Sequence, residues 1–154
     1  MWSMVGRAFI VLLAATSVCT TASAGESVTY RGTGTYAVAR TVLPMANGGA
    51  AIHLINDTVA TIAPSDIGFM FGDCAGLAYL SPTGKVNNST YCTFSETADD
   101  SFDVHGQGDG TEGTVKIIGG SGKWAGATGT GAIKKKWAQD NRGTYEYEFT
   151  ISTP

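Results

Sequence analysis

The sequence predicts an all-β protein, and three observations carry that reading. Apolar side chains recur with period 2, and no useful length of chain shows the 3.6 period of an amphipathic helix. Gly, Asn, Asp and Ser interrupt the apolar runs at strand-length intervals. Gly occupies 21 of 154 positions and charged residues make up only 15%, which favours strands and tight turns over a solvated or coiled-coil chain. The length allows one domain. Many short antiparallel strands in one domain form a sandwich or a closed barrel, and closure removes aggregation-prone edges.

Residues 1–24 carry the three parts of an export signal: Arg7 as the positive region, an apolar run from Ala8 to Ala15, and Ala22-Ser23-Ala24. The cut is expected between Ala24 and Gly25, leaving residues 25–154 as one domain. The run is too short to cross ~30 Å of hydrocarbon, so the processed chain is expected to be secreted or periplasmic and free of the membrane. Processing removes Arg7 and Cys19; 9 basic residues then face 13 acidic ones, a net charge of −4. Such a chain has no basic field for nucleic acid. Cys74 and Cys92 are the two cysteines that survive, and an oxidising compartment predicts a disulfide between them.

The first strand runs from Val28 to Val42 with Val28, Tyr30, Tyr36 and Val38 on one parity, and a kink is expected at Gly32 or Gly34. Ala50 to Ala63 and Phe69 to Leu80 follow, then the turn Ser81-Pro82-Thr83-Gly84. Thr90 to Thr97, Phe102 to Gln107 and Thr114 to Ile118 are the next three, with a hairpin tip over Gly106-Gln107-Gly108-Asp109-Gly110. Thr128 to Trp137 and Thr144 to Ser152 close the chain; in the last, Tyr145, Tyr147, Phe149 and Ile151 share a face.

Residues 119–131 read GGSGKWAGATGTG. This segment resembles the Gly-Gly-Ser/Thr-Gly-x-x-x-Gly-Ala-x-Gly stretch of allene oxide cyclases, and dirigent proteins carry a related version on the same barrel. The stretches Asp73 to Leu80 and Tyr91 to Phe94 are similar in kind. The resemblance implies a single eight-stranded antiparallel β-barrel with an apolar cavity, and a homo-oligomer, a trimer in both families. It implies a small apolar or aromatic ligand inside; an isomerase or cyclase, or a filled structural barrel, are the alternatives. The cyclase glutamate has no counterpart, because Asn87-Asn88-Ser89-Thr90 precedes Tyr91. No catalytic residue is assigned.

The same segment has a physical reading of its own. Gly119, Gly120, Gly122, Gly126 and Gly129 allow a tight turn that side chains would obstruct, and Trp124 is placed to plug one barrel end. A phosphate-cradling loop needs a helix after the glycines, whereas β-like sequence follows.

Three polar residues are candidate ligand anchors. Arg40 sits on the apolar parity of the first strand, and Glu96, on the parity of Cys92 and Phe94, is a candidate partner for it. Solvation at the strand ends is the competing reading for both. His53 shares its parity with Ile55 and Asp57 and is a candidate acid–base group or a hydrogen-bonded structural residue. Asp103 and His105 fall on a solvent face. No H-x-x-x-H or C-x-x-C spacing exists, so neither metal nor cofactor is expected. Lys134-Lys135-Lys136 alternates sides rather than forming one patch. Asn56 and Asn88 begin formal glycosylation sequons.

Overall fold

A computed structural model describes residues 25–154, so the expected signal segment and Cys19 lie outside the described residues. Eight strands form one closed antiparallel barrel in chain order: β1 (Ser27–Pro44), β2 (Ala50–Thr61), β3 (Phe69–Leu80), β4 (Val86–Ser95), β5 (Ser101–Gly108), β6 (Glu112–Ser121), β7 (Thr128–Gln139) and β8 (Arg142–Ser152). One 3₁₀ turn, Gly122–Trp124, joins β6 to β7. The alternation read from the sequence decides the faces. Tyr145, Tyr147, Phe149 and Ile151 of β8 are all buried, while Glu148 and Thr150 between them are exposed.

Pairing is sheared. From Arg40 the paired residues run through Leu54, Gly76, Thr90, Gly106, Val115, Gly131 and Phe149 back to Tyr30, ten residues (40 − 30) along β1 from the start. Strand tilt and stagger are linked in this way in any closed barrel. One hydrogen-bonded row therefore starts at one end of the lumen and finishes near the other.

The two ends differ. At the end that carries the chain termini, Phe94, Phe102, Phe149, Met70, Ile62 and Trp124 fill the interior. Trp124 is 3% exposed and meets Phe102 and Tyr30 edge-on with centroids 5.1 and 5.2 Å apart, so it does plug this end. Toward the other end the inward positions include Ala78, Gly106 and Gly113, which leave the lumen unfilled.

Four details differ from the sequence reading. Pairing with β8 continues unbroken through Gly32 and Gly34, with no register shift at either, while the ladder with β2 ends at Gly34. Those two glycines make room for the Tyr147 and Tyr145 rings that lie against them. The irregularities fall instead opposite Asp103/Val104, where Ile118 of β6 is the extra residue, and at Lys136 of β7. The fourth strand starts at Val86, four residues before Thr90, because the polar run Asn87–Ser89 pairs with β3 beside an open lumen. Gly119, Gly120 and Gly129 lie within strands, so the turn proper is Gly122 to Gly126.

Candidate functional site

The unfilled half of the barrel is a cavity of about 600 Å³ that opens at the end carrying the β3–β4, β5–β6 and β7–β8 turns. That volume lies within the range that accommodates a small organic ligand. Its wall is mainly apolar: Val38, Ile52, Leu54, Val104, Val115 and Ile133. Toward the packed end it stops at Phe94 and Tyr145. The Cys74–Cys92 disulfide joins directly paired residues of β3 and β4, with Cα atoms 4.0 Å apart, and lines the same wall.

Polar groups enter this wall at two heights. Deep inside, the Tyr145 hydroxyl donates to Thr58 Oγ1 at 2.7 Å, because Thr58 spends its own proton on the Thr35 carbonyl, also at 2.7 Å. Burial pushes the Tyr145 phenol above its ordinary range. The Asn56 amide oxygen is buried without a hydrogen-bond partner. At the mouth stand Arg40, Lys135, Asp109, Glu112 and Asp140. Arg40 donates to the Asp140 carbonyl. Asp109 Oδ1 accepts the Thr111 and Glu112 backbone N–H groups at 2.8 and 2.9 Å, which holds its carboxyl below the usual range. Glu112 is engaged by Lys134 at 2.6 Å.

Of the three anchors named from sequence, Arg40 lines the cavity, exposed at its mouth. His53 is exposed on the outer surface, paired with Thr41 and Leu77, because odd positions of β2 face away from the lumen. Glu96 is buried at the packed end, and Arg40 is not its partner: Lys123 Nζ lies 2.7 Å and Ser65 Oγ 3.0 Å from its Oε2. Arg40 and Glu96 share an inward parity but stand at opposite ends of the sheared lumen. Lys135 was hidden in the basic run; the strand alternation turns it inward between Lys134 and Lys136, which pair with Glu112 and Glu146 outside.

The remaining sequence candidates have structural places. Asp103 accepts a hydrogen bond from Thr93 at 2.7 Å, and His105 stacks on Tyr91 with Nε2 2.8 Å from Ser89 Oγ, all on the outer face. Asp100 caps the glycine turn by accepting the Lys123 backbone N–H at 2.9 Å. Both sequon asparagines, Asn56 and Asn88, line the lumen. The outer face of β2 and β3 carries large exposed apolar residues, among them Ile55, Val59, Phe71 and Leu77, the last 63% exposed. Among the described residues no group of three or more His, Cys, Asp or Glu is arranged to hold a metal ion.

No family model and no curated protein matches this chain. Solved structures do match in fold. The pterocarpan synthase dirigent protein PsPTS1 superposes with a TM-score of 0.56 at 15% identity, over 84% of this chain and 97% of that one. The pterocarpan synthase dirigent protein GePTS1 gives 0.55 at 12% identity, over 96% and 100%. The barrel is thus dirigent-like in fold.

Proposed function

We propose that this chain is an exported barrel that binds a small apolar or aromatic molecule in the open half of its lumen. One observation carries the reading: a mainly apolar, disulfide-lined cavity of about 600 Å³, open to one end, whose lining includes Gly106 of β5 and Gly113 of β6. The fold shared with dirigent proteins that are pterocarpan synthases supports it. Binding is preferred to cyclisation because the acids lining the cavity, Asp109, Glu112 and Asp140, stand at its mouth, and two of them are already engaged. The disulfide is consistent with export to a secreted or periplasmic location. A homo-oligomer is part of the same proposal, with the exposed apolar face of β2 and β3 as its contact, since patches of this kind mark interfaces.

Burying ~200 Å² of ligand at ~25 cal/mol/Å² yields ~5 kcal/mol before ordering costs, so micromolar affinity is the ceiling without polar anchors. The test is titration of the processed protein with a naphthalene sulfonate probe, beside the variant Gly106→Leu. A Cβ at Gly106 meets nothing closer than 3.8 Å, so leucine there extends into the cavity without displacing the wall. Probe fluorescence that rises with the wild type and not with Gly106→Leu supports the reading; equal response from both overturns it.

A further inference from the structure

We infer that the cavity selects organic anions, molecules with an apolar body and one anionic head, and that Arg40 and Lys135 hold the head at the mouth. The inference rests on the binding reading above and specifies its ligand. Two cations line the same opening, Arg40 from β1 and Lys135 from β7. Among the described residues neither has a carboxylate oxygen within 4.0 Å. Two of the three acids beside them are committed elsewhere. Asp109 is turned onto two backbone N–H groups, and Glu112 is taken by Lys134. Asp140 offers Arg40 its backbone carbonyl, a neutral acceptor. That bond orients the guanidinium and leaves further N–H donors for a planar oxyanion.

The placement of Lys135 is itself informative. Its neighbours Lys134 and Lys136 both find glutamate partners on the outer face. Strand alternation keeps both of them outside, while Lys135, paired with the inward Tyr145, points toward the lumen and stays half-buried. Asp109 acts on Lys135 only from beyond 4.0 Å while its carboxylate accepts two backbone N–H groups, so an anion supplied by a ligand forms the closer pair with the lysine. Below the mouth the wall carries no charged residue and is mainly apolar, with Asn56, Thr58, Asn88 and Thr90 as neutral polar exceptions, so the body of the ligand lies inward and the head outward.

The experiment compares isosteres that differ only in the head: 2-naphthoate, its methyl ester, and 2-naphthylmethylammonium, with decanoate and decanol as an aliphatic pair. Affinities are measured by calorimetry at low and at physiological ionic strength. The acids are expected to bind roughly tenfold more tightly than the ester or alcohol at low salt, with part of that advantage lost as salt screens the mouth. Arg40→Gln and Lys135→Gln are each expected to remove a few-fold of the preference, and together all of it. The ester should bind both variants as it binds wild type, which shows that the cavity is intact. Whichever acid binds more tightly identifies the body as aromatic or aliphatic. Equal affinity for acid and ester overturns the inference and leaves the cavity reading standing. Preference for the ammonium compound overturns it too. If no compound binds, both fall.

Discussion

Lys123 Nζ lies 2.7 Å from Glu96 Oε2, and the glutamate side chain has no exposed surface while the lysine keeps about half of its own, at 47%. Lys123 belongs to the turn that carries Trp124, and Glu96 to the loop between β4 and β5. Ser65, from the loop between β2 and β3, donates to the same carboxylate oxygen at 3.0 Å. Three loops are thus tied together over the packed end. A buried charge left without its partner is destabilising, whereas an apolar replacement of the whole pair is close to neutral. Lys123→Ala is therefore expected to cost about 2 kcal/mol, less than a fully buried pair because water reaches the lysine. Lys123→Met with Glu96→Leu should recover most of that loss. Urea unfolding of the three proteins checks the order; a double variant no more stable than Lys123→Ala contradicts it.

The disulfide closes 18 residues, worth about 3 kcal/mol by chain entropy. Cys74→Ala with Cys92→Ala should lower the unfolding free energy by that amount and leave the strand content unchanged by circular dichroism. Thiol titration of the unfolded protein without reductant should find no free thiol among Cys74 and Cys92.

Gly122 has φ 57° and Gly126 φ 73°, both in the left-handed region that side chains avoid. A side chain at Gly122 would also run into the Asp99 backbone and the Asp100 carboxylate, and one at Gly126 into Pro154. Gly→Val at either is expected to cost more than about 2 kcal/mol or to prevent folding. Gly106→Ala, in ordinary backbone and open space, is the control and should change the melting midpoint little. Unchanged midpoints for the two valine variants would refute the structural account of the turn.

Burial raises the phenols of Tyr145 and Tyr147, the latter helped by the neighbouring Tyr145 and Glu96. A tyrosine ionises at a pH of about 10 once unfolded, and later than that in the barrel. The unfolded chain therefore loses these protons first. The stabilising contribution is complete below about pH 10 and is lost as pH rises through the folded values. Stability should fall steeply above about pH 10, and the tyrosinate absorbance of the buried pair should appear together with the loss of circular dichroism. Tyr145→Phe and Tyr147→Phe together should flatten that alkaline limb.

Eight strands, their order of faces and the single cysteine pair were legible in the sequence because each depends on local or counting information. Period 2 says which side of the sheet a residue occupies, and two cysteines in an oxidising compartment have one way to pair. Trp124 was legible as a plug because its glycine-rich turn leaves it no strand to join. Height within the lumen was not legible. Arg40 and Glu96 have the same parity, yet one stands at the open mouth and the other beneath Lys123, because the register climbs ten residues in one circuit of the barrel. Whether an inward glycine leaves space is equally a tertiary matter. Gly34 is covered by the Tyr145 ring, whereas Gly106 faces open lumen, although both are inward strand glycines. Inside and outside follow from the chain alone. Depth, cavity and the partners of buried charges follow from closure and shear, which set residues far apart in sequence side by side.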